Sequence, residues 1–311
     1  MQLSDRIGRR MKLQDLRVLM AVVQAGSMRK AAAQLNTTQP SISRSIAELE
    51  NVVGVRLLDR NPQGVELTDC GRALLDGGTA VFDELRLAVK NIESLSDPTG
   101  GEVRIACNPM LATSFLSAVV DRMSRRYPRI AFRVLVTPAA LLKRELSDRN
   151  VDLLVARRLG NLEDERMDFE FLFEEAYVIA AGAQHPLVRR RRIEPAELVN
   201  ESWALPPQDH VLSLAAAKLF RASGLGHPPA TLITAAPDMR ISLLATGRFL
   251  SIFYDSVLKF PTGRPEIKIL PVKVPVPPVP VGIVTLQNRT FNPVARLFIE
   301  HARQVAKPLS K

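Results

Sequence analysis

Cysteine, histidine and the larger aromatics are scarce in this chain: its 311 residues include 2 Cys, 4 His, 1 Trp and 3 Tyr. Cys70 and Cys107 cannot form a disulfide scaffold, and so few thiols suit a reducing cytoplasm. Four histidines without a Cys/His cluster offer no ligand set for a structural zinc ion. No apolar run reaches the roughly 20 residues of a membrane-spanning helix. The opening stretch Met1–Lys12 is polar, with Arg6, Arg9, Arg10 and Lys12, so no secretion signal is expected. The nucleophile elbow, the HExxH helix, the GxGxxG fingerprint and the Walker-type phosphate loop are missing. Gly224-Leu225-Gly226 follows a helical stretch instead of opening one after a strand. Neither an enzyme nor a cofactor or metal is expected.

What the chain does have is apolar content of 46% and a net charge of +10. The first allows one large core or two to three smaller ones. The second is unevenly spread: residues 1–60 carry +5 and residues 61–100 carry −4. A basic chain suits nucleic acid. Part of the excess, Arg189 to Arg192, reads as a solvated charge run.

Ser27–Leu49 is the most informative stretch. Leu13, Leu16, Met20 and Val23 before it predict a core-facing first helix. That helix stops at Gly26, and Ser27 caps the next, whose Ala31, Ala32 and Leu35 can pack closely. Asn36-Thr37 makes a turn. Thr38 is a natural N-cap, and Pro40 is tolerated in a first turn. Ile42, Ile46 and Leu49 then point inward, leaving Ser41, Arg44, Ser45 and Glu48 outward. Short hydroxyls followed by an arginine make a face that can meet phosphates and base edges. Gly54–Thr68 reads as a hairpin wing with Arg60 and Gln63 near its tip.

The segments TTQPSISRSIAELE, VGVRLLDR and GVELTDCGRALL resemble the winged helix-turn-helix of LysR-type transcriptional regulators, and the order of segments resembles that family from Met11 to about Lys307. The resemblance implies a sequence-specific DNA-binding regulator that answers to a small-molecule effector. It implies an α/β chain of three parts. A winged helix-turn-helix would occupy residues 11–68 and a dimerising linker helix residues 69–97. A two-lobed effector domain like the type 2 periplasmic binding proteins would occupy 101–311. Its lobe I would take 101–175 and 277–311, and its lobe II 176–276. Matched position by position, Thr38, Gln39, Pro40, Ser41, Ser43 and Arg44 would read DNA, with Arg60, Pro62 and Gln63 on the wing. Ser27 and Lys30 would touch phosphates. Homodimers or homotetramers and contact with RNA polymerase also follow from the resemblance. An enzyme or a transport solute-binding protein of the same fold is the alternative. The latter would need an export signal and no DNA-binding head.

The linker's Leu74, Val81, Ala88 and Leu95 fall seven apart, with Gly78, Leu85 and Ile92 interleaved as a second heptad position. Gly77-Gly78 would be a weak point, and Ser96–Gly101 a hinge. Beyond it, strands and helices alternate, which predicts a right-handed βαβ series on a parallel sheet. Ligands in such folds sit beyond the carboxyl ends of the strands. The first strand ends at Cys107, so Asn108, Met110 and Thr113 open a helix whose free N–H groups would suit an anion. Thr137-Pro138 and Arg157-Arg158 end the next two strands. From the other lobe, Gln208, Gly247 and Phe249 match cleft positions of similar proteins. Thr137 also suits a helix cap, Arg157 a surface group and Gly247 a helix stop. The ligand would be an anionic or sugar-like molecule. A disulfide switch at Cys107 would need a second cysteine in its domain, and none is there.

Overall fold

The computed structural model describes residues 10–61, 64–96, 100–158, 164–260 and 266–309. The chain divides into two units, Met1–Lys90 and Asn91–Lys311. In the first, helix α1 (Leu13–Ala25) ends at Gly26, and α2 (Met28–Gln34) is capped by Ser27, whose hydroxyl accepts from Lys30 N–H. Asn36, at φ +50°, reverses the chain. Helix α3 (Gln39–Val53) starts from Thr38 with Pro40 in its first turn. Leu19, Val22, Ala31, Ile42, Ile46, Leu49 and Leu57 form the shared core.

The buried face of α1 differs from the expected stripe. Leu16, Val18, Leu19 and Val22 are buried, whereas Leu13 is 47% exposed and Met20 and Val23 are half-buried. Both stripes pass through Leu16 and differ by about one residue, or 100° of helix. Periodicity alone does not choose between them.

Strands β1 (Leu58–Asn61) and β2 (Gly64–Leu67) pair antiparallel, with Asn61 opposite Gly64. Glu50 fastens the wing to α3 by accepting from Leu57 N–H at 2.8 Å and Leu58 N–H at 3.3 Å. Helix α4 (Asp69–Ser96) follows without a break, through Gly77-Gly78. Its first turns pack on the unit's own core. A Cβ at Gly71 would come within 2.0 Å of the Leu57 carbonyl oxygen, Leu74 joins the core, and Gly78 lies against Leu16. These two heptad positions are therefore not free for another chain. Val81, Leu85, Val89 and Ile92 are 42–64% exposed. Half of the expected hinge, 97–99, lies outside the described residues.

The second unit begins with β3 (Gly100–Cys107), then α5 (Pro109–Leu111), a π-helical turn at Ala112–Leu116 and α6 (Ser117–Arg126). Next come β4 (Arg129–Val136), α7 (Ala139–Ser147), β5 (Leu153–Arg157) and β6 (Met167–Glu175). After Ala176 the chain enters a second sheet. It holds β7 (Tyr177–Gly182), α8 (Pro195–Leu198), β8 (Ser202–Leu205), α9 (Val211–Ala222), β9 (Ala230–Ile233) and α10 (Pro237–Ala245). It continues with β10 (Phe249–Tyr254), α11 (Ser256–Lys259) and β11 (Ile267–Ile269). The chain then returns as β12 (Val279–Leu286) and α12 (Pro293–Ala306).

The sheet orders are β4-β3-β5-β12-β6 and β11-β7-β10-β8-β9. The first is mixed, not parallel. β12 returns antiparallel to both β5 and β6, and β7 runs antiparallel to β10. The parallel βαβ pattern holds for β3, β4 and β5, and for β8, β9 and β10. Each sheet has its own core, one around Phe115, Phe173 and Phe298, the other around Trp203, Phe220 and Ile252.

Candidate nucleic-acid interface and ligand cavity

The N-terminus of α3 is an exposed polar ridge on a packed helix. Thr38, Gln39, Pro40, Ser41 and Arg44 are exposed and Ser43 is half-buried, while Ile42, Ile46 and Leu49 are at most 1% exposed. Thr38 Oγ1 accepts from Ser41 N–H at 3.4 Å and shares a hydrogen bond of 2.9 Å with Ser41 Oγ. Lys30 is exposed beside the Ser27 cap. Arg60 pairs through its backbone with Val65. Its side chain, Pro62 and Gln63 lie outside the described residues.

In the second unit, a cavity of about 550 Å³ lies at the carboxyl ends of parallel strands from both sheets. The first sheet contributes Asn108, Pro109, Met110, Pro138, Ala139, Leu142, Ala156 and Arg157; the second contributes Pro207, Asp209, His210, Pro237, Arg240 and Tyr254, among others. Four residues expected from sequence, Asn108, Met110, Pro138 and Arg157, meet there.

The other five do not line it. Thr113 donates its hydroxyl back to the Pro109 and Met110 carbonyls. Thr137 is buried, with its N–H donated to Cys107 O at 3.1 Å. Gln208 lines a neighbouring cavity beside Arg221 and His227. Gly247, at φ +73°, stops α10, its N–H donated to Leu244 O. Phe249 packs half-buried against the core near Leu244 and Phe253. The helix opening at Asn108 also has fewer free donors than expected. Pro109 has no N–H, and Asn108 Oδ1 accepts from Leu111 N–H at 3.1 Å.

Two arginines dominate the cavity. Arg157, 6% exposed, pairs through Nε with Glu175, which is fully buried and also accepts from Ser256. Its guanidinium carbon lies 3.8 Å from the centre of the Tyr254 ring. Arg240, 2% exposed, donates from Nη1 to Ser251 Oγ at 3.2 Å and Ile252 O at 3.0 Å. Burial pulls its guanidinium down to about 10. Arg157 Nη2 and Arg240 Nε are buried without a hydrogen-bond partner, and the Tyr254 ring lies 5.1 Å from that of Tyr177. Desolvation, then the charges of Arg240 and Arg157, hold the His210 imidazole below its ordinary value. Its Nδ1 accepts from Leu212 N–H at 3.1 Å.

Arg240, Tyr254 and His210 were not singled out from the sequence. For Arg240 a signal existed: it shares a helical face with Leu244, four residues on, where a core residue belongs.

A family model described as the LysR substrate binding domain matches residues 96–307, and one described as the bacterial regulatory helix-turn-helix protein, lysR family, matches residues 13–72. The HTH-type transcriptional regulator GbpR of Azospirillum brasilense is 26% identical over 290 residues, 92% of this chain and 84% of its own. Among solved structures, a full-length OxyR variant from Pseudomonas aeruginosa superposes with a TM-score of 0.65 at 18% identity, covering 97% of this chain and 98% of that one. Full-length CbnR complexed with its target DNA superposes at 0.52 and 21% identity, covering 95% and 100%.

Proposed function

This chain belongs to the LysR family of DNA-binding transcriptional regulators with an effector-binding domain, and we propose on that premise how its parts divide the work. The family is one of regulators and not of enzymes. Residues 11–68 would hold DNA, the helix over 69–97 would join two protomers, and 101–311 would sense the effector, with lobes at 101–175 plus 277–311 and at 176–276. The observation that carries the DNA reading is the exposed ridge Thr38–Arg44 over a core face that is almost wholly buried. Thr38, Gln39, Pro40, Ser41, Ser43 and Arg44 would enter the major groove, with Ser27 and Lys30 on phosphates and Arg60, Pro62 and Gln63 on the wing.

The effector would occupy the cavity between the two sheets, against Asn108, Met110, Pro138 and Arg157. A ligand that prefers one arrangement of the lobes shifts the population toward it, and through the dimer changes how the DNA is held. Contact with RNA polymerase and residence in the cytoplasm complete the proposal. No helix among the described residues is long and apolar enough to cross a membrane. The test is a fluorescence-anisotropy titration of the full chain against its own upstream DNA. Affinity for one fragment well above that for scrambled DNA at fixed salt supports the reading; equal affinity for both refutes it.

A further inference from the structure

We propose that the cavity takes a small organic monocarboxylate with an apolar body, and that Arg240 holds its carboxylate. This rests on reading the cavity as the effector site. The two buried arginines differ in one decisive respect. The protein supplies Arg157 with its own counter-ion, Glu175. It supplies Arg240 with neutral groups, Ser251 Oγ, Ile252 O and the Phe253 ring 4.8 Å away, and Arg240 has no ion-pair partner among the described residues. A buried cation without a counter-charge is costly, and a bound anion relieves that cost. The lowered affinity of the Arg240 guanidinium for its proton expresses the same strain.

The charged side chains of the lining say what the ligand must offer. The guanidinium groups of Arg240 and Arg157 can only donate. A site with spare donors calls for acceptors, which a carboxylate supplies in pairs. The first turn after Cys107 is a poorer anion site, because Pro109 and the Asn108 cap use up its donors.

The charge count favours one negative charge. Arg157 and Glu175 cancel, and the depressed His210 is neutral at neutral pH. Among the described residues the lining's one carboxylate, Asp209, is exposed and screened by solvent, whereas Arg240 is buried, so one buried positive charge is left to match. Pro109, Met110, Pro138, Leu142, Val211 and Leu212 make up an apolar wall for the rest of the molecule.

Calorimetry on the full chain tests this with two matched pairs, phenylacetate with phenylacetamide and hexanoate with hexanamide, and with inorganic phosphate. At least one acid should bind about tenfold or more tightly than its amide, as expected for a charge-assisted contact, and phosphate should not compete. Arg240→Gln should erase the acid–amide difference. Should that variant not fold, Arg240→Lys keeps the charge without the fork and should weaken the acid while leaving the amide unchanged. Equal binding of acid and amide, a preference that survives Arg240→Gln, or no binding by any acid overturns the carboxylate proposal. The cavity reading fails separately: Ala139→Trp fills the lining, and ligand binding that persists in it places the effector elsewhere.

Discussion

Arg44 stands exposed on a helix whose opposite face is held by Ile42, Ile46 and Leu49, so its side chain can be removed without disturbing the core. Arg44→Ala should weaken binding to the specific DNA by about 1–3 kcal/mol, the worth of one bidentate base contact, and relax preference at one position. Competition titrations at fixed salt read both effects, and no change in either would remove this helix as the reader. The two cysteines make a second check at this scale. Cys70 is exposed, whereas Cys107 is buried, and desolvation pushes its thiol up to about 12 against the opposing pull of Arg157. A thiol needs its thiolate form to react. Ellman's reagent should therefore label one cysteine per native chain and the second only in denaturant. Two fast equivalents in the native protein would contradict this burial.

At the scale of elements, the long helix α4 changes its role along its length. Its first turns are committed to the core through Gly71, Leu74 and Gly78, while Val81, Leu85, Val89 and Ile92 lie exposed on the single chain. An exposed stripe of large apolar residues is a place for a partner. The double variant Leu85→Glu, Ile92→Glu should sediment as a monomer and lose binding to a two-half-site DNA. A dimer that persists through this helix would put the seam elsewhere. In the first sheet, the close pairing of β12 with β6 depends on Gly282, where the register shifts. A Cβ there would lie 2.3 Å from the Glu170 carbonyl oxygen and 2.5 Å from the Phe169 ring. Gly282→Ala should cost stability by about 1–3 kcal/mol, typical of forced overpacking, in a denaturant titration.

Over the whole molecule, the Arg157–Glu175–Ser256 set joins the end of a first-sheet strand to the helix α11 that lies between two strands of the second sheet. Glu175→Ala strands a buried cation there and should destabilise the unit Asn91–Lys311 by about 3–5 kcal/mol. Trp203, the single tryptophan, lies in that unit's second core. Its fluorescence therefore follows that unit alone. The midpoint it reports should fall in urea, while DNA binding by the first unit stays intact in dilute buffer. An unchanged midpoint would mean that this ion pair contributes nothing net.

What the sequence determined by itself was local and periodic. Ser27, Thr38 and Pro40 specify helix starts through their own hydrogen-bonding chemistry, and Ile42, Ile46 and Leu49 specify a face by their spacing. The alternation of strands and helices predicted the parallel pairing of β3, β4 and β5. Only the tertiary structure decided the rest. Antiparallel return of β12 is a matter of which edge is free once β3, β4 and β5 have paired, and no local signal encodes it. The cavity brings Asn108, Pro138 and Arg157 against His210, Arg240 and Tyr254, positions separated by up to 146 residues. Whether an arginine is compensated depends on what packs around it. Arg157 finds Glu175 and Arg240 finds no carboxylate among the described residues. Propensity is a property of neighbours along the chain, whereas burial and charge pairing belong to neighbours in space.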